Sequence, residues 1–389
     1  MEQTNKTKRL AEIDIMRGLL IILMVMGHCG FPFTHWIFLF HMAAFFAISG
    51  FLFKRERFTS ASEYGSFLLK RIRDLYLPYV LINLLFLLLN NFFVKINIYS
   101  DNPLFETATG QPLTQYLDTA AFFKKLLGIA FLYGELPQLS GSTWFFGVLF
   151  ILLVVHGTLC FCIGKIKSNV LKIVISLLIV IGSLAFLIVF KYGSLVLPGQ
   201  LFFLRIDIAY LCFIIGVLFR FINKTLSKYR NGSKREYVII SVIALVSFGL
   251  LVFLNNYNDI SIANASITSI YGLVLCSTLG FLLVYSVSLL LSKLFITEMV
   301  FAFVGRHTRS IVMLHMVCFK IVTLLLIIIY AKEMYYLASF PILDSVGCYV
   351  WIPYLFIGVS VPLLFSILWW KLSQIVQRLW EKNRIGGKK

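Results

Sequence analysis

Five polar side chains set inside two otherwise apolar stretches are where this chain can do chemistry. They are Asp14, Arg17 and His28 in IDIMRGLLIILMVMGHCG, and His41 and Ser49 in WIFLFHMAAFFAISGFLF. Histidine exchanges a proton near neutrality, which suits a general base. An aspartate three residues before an arginine on a helix is close enough to pair with it. Arg17 and His28 are separated by roughly three whole helical turns, so both point the same way, about 16 Å apart along one face. An ionised residue at mid-membrane costs about 2.5–3.5 kcal/mol on insertion scales. Several on one face imply a water-filled or ligand-filled cavity. The plainer alternative is a snorkelling arginine and a hydrogen-bonded packing histidine.

The elements that must hold these groups are membrane helices. The chain has 389 residues, 60% of them hydrophobic, with 38 phenylalanines; soluble domains run about 45–50% apolar. Several runs exceed the roughly 18 apolar residues that cross a bilayer core. The expected fold is an all-α, polytopic integral membrane protein, a single domain over residues 1–389. About ten transmembrane helices are expected, near 13–30, 36–53, 75–95, 142–163, 169–190, 200–222, 237–254, 265–291, 310–330 and 350–370. The first helix carries Asp14 and Arg17 and lacks a small-residue cleavage site, so it is expected to stay in the mature protein.

The formal net charge is +18, and its placement excludes a nucleic-acid reading. With the amino terminus inside, residues such as Lys6, Lys8, Arg9, Arg55, Arg57, Lys228, Arg230, Lys388 and Lys389 fall on the cytoplasmic side. The outer side receives only Lys95, Lys124, Lys125, Lys191 and Lys332. That is the positive-inside asymmetry of a multi-pass protein of the cell inner (cytoplasmic) membrane, with both termini cytoplasmic. The seven cysteines form no Cys-x-x-Cys pair, so neither a disulfide framework nor a metal site is expected.

Other stretches add candidates. Lys70, Arg71 and Arg73 in KRIRDLYLPYV read either as positive-inside anchors or as ligands for the phosphates of a donor. The segment 96–141 is expected outside, with FFKKLLGIAFLYG as an interfacial or re-entrant helix. Trp144 opens the fourth helix, as an aromatic-belt anchor or as a stacking platform for a sugar. Arg205 and Asp207, two apart, do not face each other, so each needs a partner elsewhere. They are candidates for a substrate cavity, whereas His156 reads as packing. In FVGRHTRSIVMLH, Gly305 opens a turn and His315 lies on the helix that follows.

The pattern Asp, two residues, Arg-Gly, nine intervening positions and His, followed by Phe-His-Met and Ile-Ser-Gly-Phe-Leu, resembles the start of the acyltransferase-3 family. These are integral-membrane O-acyltransferases, fucose O-acetylase-like, many of which acetylate bacterial surface sugars. Ala43 stands where that family usually has a proline. Lys70, Arg73, Pro78 and Tyr79 are similar to its basic pair before an aromatic-Pro-Tyr turn, with Lys70 in place of an arginine. Gly305, Thr308 and His315 resemble its late motif, with Thr308 at the usual serine and Val312 at the usual tyrosine. The resemblance implies acetyl-CoA, or another acyl-CoA, as donor and a cell-envelope glycan as acceptor.

Moving an acyl group from a thioester to a hydroxyl needs a base, a stabilised oxyanion and a held donor. No Gly-x-Ser-x-Gly elbow and no Cys-His pairing points to another nucleophile. The expected roles are His28 as base, Arg17 guiding the donor or countering negative charge, Asp14 orienting Arg17, and His41 as a second acid–base or orienting group. An acyl-imidazole on His28 is left open. The rival is a transporter or flippase of a lipid-linked sugar, which intramembrane charge would also suit. It would be expected to show a repeated half or paired broken helices, and neither is visible.

Overall fold

A computed structural model describes residues 11–54, 58, 60–193, 200–226 and 233–386, without the side chains of 225–226 and 378–386. Of the basic residues used above for topology, Lys6, Lys8, Arg9, Arg55, Arg57, Lys228, Arg230, Lys388 and Lys389 lie outside the described residues. The described chain is helical apart from one short hairpin. In order it forms α1 (Ala11–His28), α2 (Thr34–Phe38), α3 (His41–Leu52), α4 (Ala61–Arg71), a π turn (Ile72–Tyr76), α5 (Leu77–Leu88), α6 (Asn90–Lys95), α7 (Pro103–Thr109) and α8 (Thr119–Ala130). A 3-10 turn (Gln138–Thr143) leads into α9 (Trp144–Gly164), α10 (Asn169–Tyr192), α11 (Gln200–Leu226) and α12 (Lys234–Leu254). After the strands β1 (Ile260–Ser261) and β2 (Ser266–Ile267) come α13 (Ile270–Leu291), α14 (Phe295–Arg306), α15 (Thr308–Ile329) and α16 (Trp351–Gly386). Among the described residues, eight helical segments are long and apolar enough to cross a membrane. α1 is outside that group because its 18 residues carry three charges, Glu12, Asp14 and Arg17.

Helix crossings are set by glycines. A Cβ on Gly18 of α1 would overlap the Phe301 carbonyl of α14, and one on Gly305 would overlap the Asp14 carbonyl. The same reciprocal contact joins α3 and α11, where Gly50 meets the Phe213 carbonyl and Gly216 the Ala47 carbonyl. Lipid tails are as apolar as leucine, so close backbone approach and dispersion hold such helices together. α1 and α3 thus lie in the middle, with α13 packed on both. Gly305, expected at a turn, is instead buried in the last turn of α14.

α4, the π turn and α5 form one helical run that starts well before the expected helix at residue 75. Ser60 caps it, its hydroxyl accepting from the Glu63 N–H while Glu63 accepts from the Ser60 N–H. The π turn has a local cause. Pro78 has no N–H for the Asp74 carbonyl, and the Leu77 N–H reaches back five residues to Ile72.

This run lies antiparallel to α9. Tyr64 hydrogen-bonds Thr158 at 2.6 Å, Tyr76 packs on Phe150 with ring centroids 5.2 Å apart, and the Asn83 amide donates to Thr143 at 2.8 Å. Lys70 and Arg71 therefore belong to a continuous helix rather than a loop. They stand beside the middle of α9, not beside its end.

Candidate active site

His28 ends α1, and the turn through α2 brings His41, the first residue of α3, to the same place. Phe38 lies between them, its ring centroid 6.2 Å from His28 and 5.3 Å from His41. From the other side His315 of α15 stacks on His28, centroids 5.5 Å apart and planes 27° from parallel. Three histidines from three helices thus gather here, with His41 and His315 flanking His28. Among the described residues, no group of three His, Cys, Asp or Glu has the geometry of a metal site.

Two of the rings are fixed in tautomer by their own helices. A carbonyl oxygen can only accept, so the His41 Nδ1–H donates to Ile37 O at 2.9 Å. The His315 Nδ1–H donates to Ile311 O at 2.8 Å and Val312 O at 3.2 Å. In each neutral ring Nε2 is then the bare acceptor. His315 is fully enclosed, and its Nε2 has no hydrogen-bond partner. A buried acceptor left open beside His28 is a place for a proton or a donor group of a bound molecule.

Two neighbouring spaces adjoin these rings. One, about 320 Å³ with its open part included, is lined by His28, Met24, Met42, Phe45, Ser142, Trp144, Phe145 and Val312. The other, about 400 Å³, is lined by His28, Phe38, His41, Met42, Trp144 and residues 260–263 of the hairpin. His28, Met42 and Trp144 border both. The hairpin is roofed over the second space and tied from two sides. His35 of α2 meets Asn255, at the end of α12, at 2.8 Å and Asp259, next to the first strand, at 3.7 Å, and Lys191 of α10 donates to the Ile267 carbonyl.

Trp144 is held by a buried polar cluster in the turn before α9. Asn83 of α5 donates to Thr143 at 2.8 Å and to its own Tyr79 carbonyl, while Ser140 donates to the Asn83 oxygen at 2.8 Å. Ser142 donates to the Val312 carbonyl at 2.7 Å, joining this turn to the His315 helix. Sequence patterns pass over Asn83, although a lone amide in LINLLFLL is itself a signal. They also pass over Lys320, enclosed in α15, whose ammonium donates to Leu337 O at 2.9 Å and Ser339 O at 2.8 Å.

The remaining expected residues fall into three places. Asp14 is buried and pairs with Arg17 at 3.9 Å, about four and about three turns back along α1 from His28. Ser49 is spent on its own helix, donating to Phe45 O at 3.1 Å. Thr308 caps the end of α14 through the Gly305 carbonyl at 2.7 Å, so its hydroxyl joins helices and does not reach the cavities. Lys70 is exposed, Arg71 lies over the Phe67 ring at 4.8 Å, and Arg73 is 75% exposed beside Asp74 at 3.2 Å. Ten residues separate Arg73 from Asn83 at the Trp144 end, about 15 Å of helix. Arg205 stands over the Trp144 ring at 5.4 Å, while Asp207 turns away to accept from Ser183 of α10. His156 is packed between Phe53 and Phe213, ring centroids 4.7 and 4.8 Å away.

In comparison with known proteins, one family model matches: that of an acyltransferase domain (acyltransferase 3), over residues 10–371. No curated protein and no solved structure matches the chain.

Proposed function

Because the chain belongs to the acyltransferase 3 family, we propose that it moves an acetyl group from cytoplasmic acetyl-CoA, or another acyl group from its CoA thioester, to a hydroxyl of a cell-envelope polysaccharide or its lipid-linked precursor. The observation that carries this is the His28 ring, stacked on His315 and bordering both cavities with Trp144. In this reading His28 takes the proton of the acceptor hydroxyl as its oxygen attacks the thioester carbonyl. The tetrahedral intermediate collapses, the C–S bond breaks, and the CoA thiolate recovers the proton from the imidazolium. His41 and His315 orient and buffer that exchange through their open Nε2 atoms.

The donor enters along two parallel helices. Lys70, Arg71 and Arg73 meet its phosphates, and Arg17, oriented by Asp14, guides the pantetheine arm. From Arg17 along α1, and from Arg73 along the α4–α5 run, the distance to the His28–Trp144 level is about 15 Å. Gly305 keeps α14 close enough to fix the Asp14 backbone. In the topology that goes with this, α1 and the α4–α5 run join the eight apolar spans as ten crossings, with both termini in the cytoplasm. The membrane is then the inner one, and the histidine end faces outward.

Membranes containing the chain should transfer label from radiolabelled acetyl-CoA to envelope glycan, and membranes with His28→Asn should not. A transporter would move the glycan without labelling it. Unlabelled glycan at confirmed expression would end the transferase reading.

A further inference from the structure

Among the described residues, Arg205 of α11 is a cation with no hydrogen-bond acceptor or ion-pair partner. Arg205 is half-buried five residues into that helix. Its guanidinium lies over the Trp144 indole at 5.4 Å, and its enclosed Nε makes no hydrogen bond. No carboxylate among the described residues forms an ion pair with it. Asp207, two residues on, is engaged by Ser183. The indole face stabilises the charge but accepts none of the five N–H donors, whose planar fork matches a carboxylate or a phosphate. Trp144 is also the residue that walls both cavities with His28.

We infer that Arg205 binds an anionic group of the acceptor, a carboxylate or a phosphate, and so presents the neighbouring hydroxyl at His28. This rests on the acyl-transfer reading and names the acceptor's chemistry. The donor's phosphates have their own cations about 15 Å away along α5, so a basic group at the Trp144 end answers to the other substrate. Arg205 touches Trp144 and acts on specificity; it takes no proton in the reaction.

The test is equilibrium binding to the purified full chain in nanodiscs, read by tryptophan fluorescence and thermal shift, with no donor present. The probes are methyl glucuronide (carboxylate), glucose 1-phosphate (phosphate) and methyl glucoside (neutral). Wild type should bind at least one anionic probe about tenfold or more tighter than the neutral one, and which one identifies the group. Arg205→Met should lose that preference and Arg205→Lys should keep part of it. Should Arg205→Met fail to fold, Arg205→Gln, which keeps a planar group on the indole, takes its place. Equal binding of all three probes by wild type, or an anion preference that survives both neutral variants, would overturn the assignment. A preference that depends on Arg205 in a protein that never labels glycan would leave the anion site standing and sink the transferase reading instead.

Discussion

Two of the apolar spans meet opposite surroundings. In the α2–α3 segment 67% of the apolar stretch is buried inside the protein, whereas in α10 the share is 11%. Both are apolar enough to cross a bilayer, so hydrophobicity does not sort them. The difference lies in small and polar residues. α3 has Ala43, Ala44, Ala47 and Gly50 along the faces met by α1, α11 and α13, and it begins with His41. α10 is rich in Leu, Ile and Val, buries only Leu187 and Phe190, and makes polar contacts to its neighbours through Ser183 and Lys191. In lipid, then, close approach marks the interior and bulk marks the exterior.

The largest expected effect follows from the chemistry on the buried side of that contrast. Asparagine can replace a packing histidine's hydrogen bond but has no usable protonation equilibrium. His28→Asn should insert and fold as the parent does yet lose acyl transfer by about 10²–10⁴-fold, the range of acid–base groups. Leu177→Ala on exposed α10 should transfer at close to the parental rate. Purified proteins assayed with radiolabelled acetyl-CoA would decide it, and a His28→Asn enzyme near parental rate would move the base to His41 or His315.

Stability should divide the same way at glycines. Gly50→Leu or Gly216→Leu forces a side chain into a facing backbone, and overpacking costs about 1–3 kcal/mol or more. Gly182, in α10, has nothing within 4 Å of where a Cβ would stand. Gly182→Ala should therefore be neutral or stabilising, by about 0.5–1 kcal/mol at most. Thermal unfolding in one detergent would compare the three. Equal losses at Gly50 and Gly182 would mean that close approach is not what holds α3 to α11.

How much of this was legible beforehand also follows residue type. The Asp14–Arg17–His28 spacing and eight of the expected apolar helices follow from a 3.6-residue period and the rarity of charge in membrane helices, whereas the helix expected at 75–95 belongs to a run that begins at Ala61. That His315 stacks on His28 depends on how α15 packs, which no local pattern encodes. The hairpin over the second cavity is two residues per strand, too short for alternation to announce. The helix through Lys70 and Arg71 was hidden because its first turns are polar, so a hydropathy reading starts it only at residue 75. The π turn follows from the N–H that Pro78 lacks for the Asp74 carbonyl, not from propensity.

A third contrast sets Lys320 against exposed lysines. Its ammonium serves two enclosed carbonyls, at Leu337 and Ser339. Lys320→Met should strand both and cost about 1–3 kcal/mol. Hydrogen exchange should then rise across residues 334–343 and stay unchanged in α10. Unaltered exchange in 334–343 would show that the loop is held by packing alone.

The smallest effect is expected at the basic trio, and it separates two arginines of one helical run. Arg71 is half-buried over Phe67, so its loss removes packing as well as charge. Arg73 is 75% exposed and already beside Asp74, where solvent screens whatever it binds. Exposed ion pairs are worth about 0.2–1 kcal/mol, which is at most about a fivefold change in affinity. Arg73→Ala should thus raise the KM for acetyl-CoA up to about fivefold with kcat held, and high salt should erase the difference. Arg71→Ala should raise KM and lower thermal stability together. If Arg73→Ala keeps the parental KM at low salt, this residue holds no donor phosphate, and the donor's phosphates must rest on Lys70 and Arg71.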